Sequence, residues 1–211
     1  SFYVRWQCSR QRDKREMKKF INQQYLTTEQ YQNAQNLNAR IRVHRCFSTN
    51  RQGLYNWIFE HFQLPENGQI LELGCGSGAI WLENLKKIAP GWQLTLSDLS
   101  PGMLAKAQEN LSAISSQIEY KTIDAQHIPF EDGYFDAVMA HFMLYHVPDR
   151  NQVMAEIHRV LKSGGRLFAA TNGTNHMREV RALIKSLDAA ADLTSAGELF
   201  GLENGYEQLA V

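Results

Sequence analysis

The segment from Ile70 to Gly78 constrains the fold of this chain more than any other part of its sequence. It begins with a short apolar run, Ile70-Leu71-Glu72-Leu73, which predicts a buried strand. Glycines at every second position follow directly, at Gly74, Gly76 and Gly78, and apolar residues then return at helical spacing, at Ile80, Trp81, Leu85 and Ile88. Because glycine tolerates positive φ and has no Cβ, the backbone can turn sharply here and leave room for a ligand. Strand, glycine turn and helix together predict free backbone N–H groups at a helix start, a position that favours an anionic group.

Two nucleotide-binding interpretations and a purely structural one are open for this loop. The dinucleotide-binding fingerprint is G-x-G-x-x-G. Here the spacing is G-x-G-x-G, with the acidic residue Glu72 two positions before the first glycine. A glycine loop by itself also fits a tight structural turn, so the downstream sequence has to decide.

Two later strands are each predicted to end in an acidic residue. Leu94-Thr95-Leu96-Ser97-Asp98 alternates like a strand, and Ile118 to Ala125 is a further strand that ends in Asp124-Ala125. Each aspartate alone is typical of a turn. Two acids at successive strand ends beyond a glycine loop instead indicate a ligand-binding site. Such a carboxylate can accept hydrogen bonds from the ribose hydroxyls of a nucleoside. Ser100-Pro101 between them predicts a helix start, with Ser100 as the N-cap.

The glycine loop with its preceding acid resembles the first motif of the class I S-adenosylmethionine-dependent methyltransferases, E/D-x-G-x-G-x-G. The resemblance extends from about Asn36 to Thr171. Within it, Pro129–Val138 and Leu161–Leu167 resemble the family's turns into its fourth and fifth strands. The segment Phe142–Asp149 is similar to the subgroup of type 11 methyltransferases typified by ubiquinone and menaquinone biosynthesis. The resemblance to the family implies a doubly wound α/β fold, with a mostly parallel Rossmann-like sheet, helices on both faces and a helical N-terminal cap.

The resemblance also implies the cofactor, S-adenosylmethionine, with S-adenosylhomocysteine as the product. The residues expected to bind it are Glu72, Gly74, Cys75, Gly76, Gly78, Asp98, Leu99, Met103, Asp124, Ala125, Gln126, His141 and Arg40. In the family the Asp-Ala position meets the adenine amino group, which assigns that contact to Asp124. Arg40 is a candidate partner for the methionine carboxylate because a guanidinium offers it a planar fork, although exposed arginines are common.

The implied reaction is an in-line methyl transfer to an oxygen, nitrogen or carbon nucleophile of a small-molecule acceptor. The candidate catalytic residues are His146, Tyr145 and His141, after the fourth strand, because a histidine that titrates near neutral pH can remove a proton. A structural hydrogen bond is the alternative role for His146, and contact with the cofactor is the alternative for His141. More remote candidates are His44, Asn172 and His176. A Rossmann dehydrogenase and a non-catalytic cofactor-binding or scaffolding protein remain as alternative functions.

Composition favours a globular protein of balanced charge. The 211 residues are 44% hydrophobic, and the 22 basic residues equal the 22 acidic ones, so no global field favours nucleic acid. No apolar stretch approaches membrane-spanning length, and no apolar run follows the basic N-terminus as in a secretory leader. The three cysteines, Cys8, Cys46 and Cys75, lack metal-type spacing, and we expect no metal and a reducing, cytoplasmic setting.

The predicted organisation is a helical cap over residues 1–62, joined as one structural unit to a cofactor-binding core over residues 63–211. Residues 1–20 carry seven Lys or Arg against two acids. They are predicted to form a solvated helix, or alternatively an arm that contacts an anionic substrate or membrane surface. The oligomeric state is not indicated.

The end of the chain is predicted to depart from the family. Class I methyltransferases usually finish with a strand hairpin beside the fifth strand, whereas Val180, Leu183, Ile184 and Leu187 have helical spacing and no convincing strand follows. We therefore expect either a fragment that stops before the hairpin or a sheet edge covered in another way, since an open edge promotes aggregation.

Overall fold

A central sheet of five parallel strands organises the computed structural model, which describes residues 19–191 and 195–209. The strands are β1 Gln69–Leu73, β2 Gln93–Asp98, β3 Ile118–Thr122, β4 Phe135–His141 and β5 Leu161–Ala170. Their spatial order is β3-β2-β1-β4-β5. The chain therefore reverses its direction of travel between β3 and β4, which places a switch point beside β1, where open α/β sheets bind their ligands.

The helices lie before, between and after the strands. They are α1 Gln23–Tyr25, extended by a π-helical turn over Leu26–Gln30, α2 Gln35–Phe47, α3 Leu54–Glu60, α4 Ala79–Glu83, α5 Pro101–Asn110, α6 Arg150–Val160, α7 Arg178–Leu187, α8 Ala196–Leu199 and α9 Gly205–Leu209. Short 3-10 turns cover Leu85–Lys87, Ser112–Gln117 and Leu144–His146.

Apolar side chains cover both faces of the sheet. One core cluster packs α3, α4 and α5 against the sheet through residues such as Phe59, Trp81 and Leu104. The other packs α6 against the opposite face through residues such as Val153 and Ile157. The central strands are therefore buried on both sides, which explains why β1 and β4 are almost continuously apolar. This arrangement confirms the predicted doubly wound α/β fold.

The helical spacing predicted after Thr171 is confirmed, whereas the two explanations for the missing hairpin stay predictions. The spacing of apolar residues after Thr171 corresponds to α7, and in the part of the chain that the structure describes no strand follows β5. Most of the basic segment 1–20 lies outside the described residues, so its predicted role stays a prediction. No helix among the described residues has the length and hydropathy needed to cross a bilayer.

Candidate cofactor site

The glycine loop after β1 has the left-handed backbone that its spacing predicts. Gly74, Gly76 and Gly78 have φ of 68°, 56° and 71°. A Cβ on Gly74 would lie 2.8 Å from the Cβ of Met143, and one on Gly78 would lie 2.8 Å from Leu111 Cδ1. Conformation and contact both require glycine at these two positions. At the carboxyl edge of the sheet, Gly74 and Gly76 are half-buried and Gly78 is buried.

Asp98, at the end of β2, is tied to that loop. Its carboxylate oxygens accept hydrogen bonds from the backbone N–H of Gly76, at 2.9 Å, and of Ser100, at 2.8 Å. Burial raises the pKa of Asp98, while these two backbone donors act in the opposite direction. Ser100 also caps α5 as predicted, accepting from the Met103 N–H at 3.3 Å. Asp98 and the glycine loop therefore form one rigid unit.

Asp124 follows the neighbouring strand at the same edge. The N–H of Ile123 donates to the Asp98 carbonyl at 3.3 Å, which holds the two strand ends side by side. The Asp124 carboxylate accepts from the Gln126 N–H at 3.0 Å and from the Gln23 amide at 2.9 Å. Burial alone would raise the pKa of Asp124, but these donors hold it below its ordinary value. The structure thus brings both strand-end acids to one edge of the sheet.

Glu72 and His141 form a buried pair behind the loop. Glu72 accepts hydrogen bonds from Trp81 Nε1 at 2.5 Å and from His141 Nδ1 at 3.1 Å, and Phe62 stacks on the histidine ring at 5.6 Å. His141 Nε2 is buried without a hydrogen-bond partner among the described residues. Both Glu72 oxygens are therefore engaged by protein donors, and one His141 nitrogen remains for a further contact.

Cys75 is a packing residue inside the loop. Its side chain is buried, and its backbone N–H donates to the Ser97 carbonyl at 2.8 Å. Burial, aided by the nearby carboxylates of Asp98 and Glu72, holds the pKa of the thiol well above its ordinary value. A neutral thiol is a poor nucleophile. Its small size suits this buried position in the loop.

The region matched by a protein-family model coincides with this site. Residues 71–169 match the family described as "Methyltransferase domain". The match contains the glycine loop, both strand-end acids and the turn after β4. Residues 71–169 form a class I S-adenosylmethionine-dependent methyltransferase domain. The methyltransferase resemblance of the sequence is thereby confirmed.

Named relatives share this methyltransferase domain. Demethylmenaquinone methyltransferase of Thermus thermophilus is 38% identical over 99 residues, covering 47% of this chain and 44% of that protein. Sterol 4-C-methyltransferase strm-1 of Caenorhabditis elegans is 36% identical over 120 residues, covering 56% of this chain and 35% of that protein. This chain therefore spans less than half the length of these two relatives.

A solved structure supports the methyltransferase fold independently. A protein of Bacillus halodurans C-125, proposed to be a methyltransferase, superposes with a TM-score of 0.56 at 21% identity, covering 74% of this chain and 66% of that one. At this identity the likeness concerns the fold alone. The parallel sheet with helices on both faces is the common feature.

Two of the three catalytic candidates, Tyr145 and His146, lie in the 3-10 turn after β4, and the third, His141, is the last residue of β4. His146 Nδ1 is 2.8 Å from the Phe20 carbonyl and Nε2 is 2.9 Å from the Tyr31 hydroxyl. Burial lowers the pKa of His146 to about 4, so the ring is neutral at physiological pH. Tyr145 beside it is buried, which raises its pKa. Both His146 nitrogens are thus engaged in structural hydrogen bonds, and its role as a general base stays a prediction.

The remaining predicted residues differ in their burial and in the residues that they contact. Arg40 is exposed on α2, with its guanidinium carbon 5.3 Å from the centre of the Tyr31 ring. His44 and His176 contact each other, with ring centres 5.4 Å apart, and Asn172 is half-buried after β5. Of the cofactor candidates, Met103 and Ala125 are buried, whereas Leu99 and Gln126 are half-buried. Their contact with a cofactor stays a prediction.

Two residues that the sequence analysis missed lie at the centre of the site. Gln23 contacts Asp124, and Tyr31 contacts both His146 and Ser100. Both precede the part of the chain that resembles the family, and neither residue type at its position carries a motif. A local signal for them does not exist in the sequence, because the contacts arise from the path of the cap over the sheet.

Proposed function

We propose that this chain binds S-adenosylmethionine across the carboxyl ends of β3, β2, β1 and β4 and transfers its methyl group to a small-molecule acceptor. The observation that carries the proposal is the Asp98 carboxylate, fixed by the glycine loop at 2.9 Å and lying beside the Asp124 strand end. A glycine turn after one strand and acids after the neighbouring strands are features with which open α/β sheets bind nucleosides at their carboxyl edge.

The order of the strand ends supports one orientation of the cofactor. Asp124 at the end of β3 offers an acceptor for the adenine amino group, and Asp98 at the end of β2 offers acceptors for the ribose hydroxyls. The glycine loop after β1 then lies beneath the methionine end, with the β4 turn beside it. The adenine, ribose and methionine parts of an extended cofactor therefore each lie at a chemically suitable strand end, in the spatial order β3, β2, β1.

When bound, S-adenosylmethionine supplies an electrophilic methyl group on its sulfonium. The chain's own contribution is to hold the cofactor rigidly, exclude water and place a nucleophile in line with that methyl, at about 3 Å. The raised pKa of Tyr145 and the lowered pKa of His146 keep both side chains uncharged. The chemistry we propose therefore depends on positioning, without a strong base.

The two named relatives support a small-molecule acceptor. One is named for demethylmenaquinone and the other for a sterol, both of them small organic molecules. We propose an acceptor of this class, bound beside the β4 turn. An oxygen, a nitrogen and a carbon nucleophile all fit the proposal at this level.

Calorimetric titration with S-adenosylmethionine and S-adenosylhomocysteine tests cofactor binding. We expect Asp98→Ala to weaken both about 100-fold, because two hydrogen bonds to a charged group are lost. Asp124→Ala should weaken them about tenfold. Asp132→Asn is the matched control, because this exposed acid lies at the opposite edge of the sheet and contacts Arg159. Absence of binding by the unaltered protein contradicts the proposal.

Transfer of a tritiated methyl group tests the activity. The acceptors are a naphthoquinol, a sterol, a catechol and a primary amine, each incubated with the unaltered protein and with Asp98→Ala. Tritium incorporated into any of these acceptors by the unaltered protein, and not by Asp98→Ala, supports methyl transfer. Tight cofactor binding without transfer to any of the four favours the alternative of a non-catalytic binding protein.

A further inference from the structure

One tyrosine spans the proposed site from its ribose end to the β4 turn. The Tyr31 carbonyl accepts a hydrogen bond from Ser100 Oγ at 2.7 Å, next to Asp98. The Tyr31 hydroxyl lies 2.9 Å from His146 Nε2, after β4. Because β1 lies between β2 and β4, the residue passes over the strand that carries the glycine loop.

This path coincides with the proposed position of the sulfonium. If the ribose lies at Asp98 and the methionine end lies over the loop after β1, the sulfur and its methyl group fall between β2 and β4. Tyr31 crosses that interval. The inference rests on the proposed function, because it assumes the orientation of S-adenosylmethionine given above.

The hydrogen bonds of His146 fix the direction in which the Tyr31 hydroxyl points. The Phe20 carbonyl can only accept, so the His146 nitrogen 2.8 Å from it, Nδ1, carries the proton. In the neutral ring Nε2 is then an acceptor, and the Tyr31 O–H must donate to it. The lone pairs of the Tyr31 oxygen are thereby left to accept from another group.

The ring itself is held on a second side. The Arg40 guanidinium lies 5.3 Å from the centre of the Tyr31 ring, within the range of a cation–π contact. The His146 ring meets it edge-on, with ring centres 5.3 Å apart. Tyr31 is therefore fixed at its carbonyl, its ring and its hydroxyl.

We propose that the Tyr31 hydroxyl oxygen faces the transferable methyl group and accepts a hydrogen bond from an N–H or O–H of the acceptor. This bond would turn the acceptor's nucleophilic lone pair toward the methyl carbon. The new bond to that carbon forms as its bond to sulfur breaks, which leaves S-adenosylhomocysteine, and the acceptor's N–H or O–H proton is lost to water when the product is released. His146 is the positioning residue, since it acts only by orienting the tyrosine hydroxyl. The low pKa of His146, about 4, keeps that orientation unchanged at neutral pH.

Sinefungin tests this geometry without knowledge of the acceptor. It is an analogue of S-adenosylhomocysteine with an amine nitrogen where the cofactor carries its methyl group, so its N–H groups should reach whatever faces that methyl. We expect Tyr31→Phe to weaken sinefungin about tenfold, the effect of one hydrogen bond to a charged donor, and S-adenosylhomocysteine less than about twofold. Tyr25→Phe, on the same segment, is the matched control and should alter neither.

The outcomes separate this inference from the proposed function. If the unaltered protein binds neither compound, the proposed function fails. If it binds both and Tyr31→Phe leaves both unchanged, or weakens both equally, Tyr31 merely fastens the cap and the inference is overturned. Circular dichroism of each variant confirms that the fold is retained.

A pair of His146 variants tests the positioning role. His146→Leu removes the acceptor for the Tyr31 hydroxyl, and we expect it to weaken sinefungin more than S-adenosylhomocysteine. His146→Gln offers an amide oxygen to the same hydroxyl and should restore at least part of the sinefungin affinity. Equal affinities for the two variants would contradict the role of His146.

Discussion

The side-chain amide of Gln23 donates to the carboxylate of Asp124 at 2.9 Å, across a separation of 101 residues. The bond joins the N-terminal cap to the strand end that we assign to adenine. Asp124 also accepts from the backbone N–H and the side chain of Gln126. A carboxylate offers about four lone-pair positions, so these donors nearly saturate it. An adenine amino group that binds Asp124 therefore competes with these donors for its lone pairs.

Gln23→Ala should therefore increase the affinity for S-adenosylhomocysteine. Gln126 is held in its own loop, because its carbonyl and its side chain also bond Gln152 and Asp149. Gln23 is thus the donor that is most easily displaced. We expect an increase of about threefold to tenfold in calorimetric titration, the effect of one net hydrogen bond.

Gln24→Ala is the matched control for this change, because its side chain is exposed and adjacent. Its affinity should equal that of the unaltered protein. A loss of affinity in Gln23→Ala would mean that Gln23 contributes to the bound state, contrary to displacement.

Cofactor affinity should fall at mildly acidic pH because of Asp98. Burial raises the pKa of this carboxyl above its ordinary value, which is about 4. The ionised form offers the acceptors for the ribose hydroxyls. As the pH falls through the raised pKa, protonation removes one of these acceptors and weakens binding. The affinity should therefore be constant near neutral pH. As the pH is lowered, the affinity should begin to decline before the ordinary carboxyl pKa of about 4 is reached.

Titrations with S-adenosylhomocysteine between pH 8 and pH 4 measure this dependence. The asparagine in Asp98→Asn cannot ionise. This variant should bind S-adenosylhomocysteine more weakly, and its affinity should not decline as the pH is lowered toward the ordinary carboxyl pKa. The pKa of Asp124 is held low and that of His146 lies at about 4, so neither should contribute at the upper part of this range. The same decline in Asp98→Asn would assign the effect to another group.

The strand ends and the glycine loop were predictable because local sequence determines them. In a parallel sheet every strand presents its carboxyl end at the same edge, so Asp98 and Asp124 had to lie on one side. The spacing of Gly74, Gly76 and Gly78 required a turn that only glycine forms easily. Ser100 capped its helix as expected because an N-cap depends on residues within three positions.

The contacts of the cap were beyond sequence reasoning. Tyr31 and His146 lie 115 residues apart, and their bond depends on how the cap crosses the sheet. No periodicity encodes that path. The pair of Glu72 with Trp81 Nε1 is a different case, because a buried indole N–H needs an acceptor and an acid nearby in sequence was available.

Gly74→Ala should destabilise the protein more than Gly164→Ala. Both glycines have left-handed backbone, with φ of 68° and 79°, so alanine at either position should cost about 1–2 kcal/mol for the conformation alone. A Cβ on Gly164 meets nothing within 4 Å, whereas one on Gly74 lies 2.8 Å from the Met143 Cβ. Relief of that overlap requires the backbone after β4 to shift.

Urea unfolding measures the difference between the two glycine variants. We expect Gly74→Ala to lower the free energy of unfolding by about 1–3 kcal/mol more than Gly164→Ala, the usual cost of overpacking. Since Met143 directly precedes the turn that carries His146, Gly74→Ala should also weaken S-adenosylhomocysteine binding, whereas Gly164→Ala should not. Equal losses of stability in the two variants would show that the segment after β4 can move away from a Cβ at position 74 without a loss of free energy. The glycine loop would then not hold that segment in place.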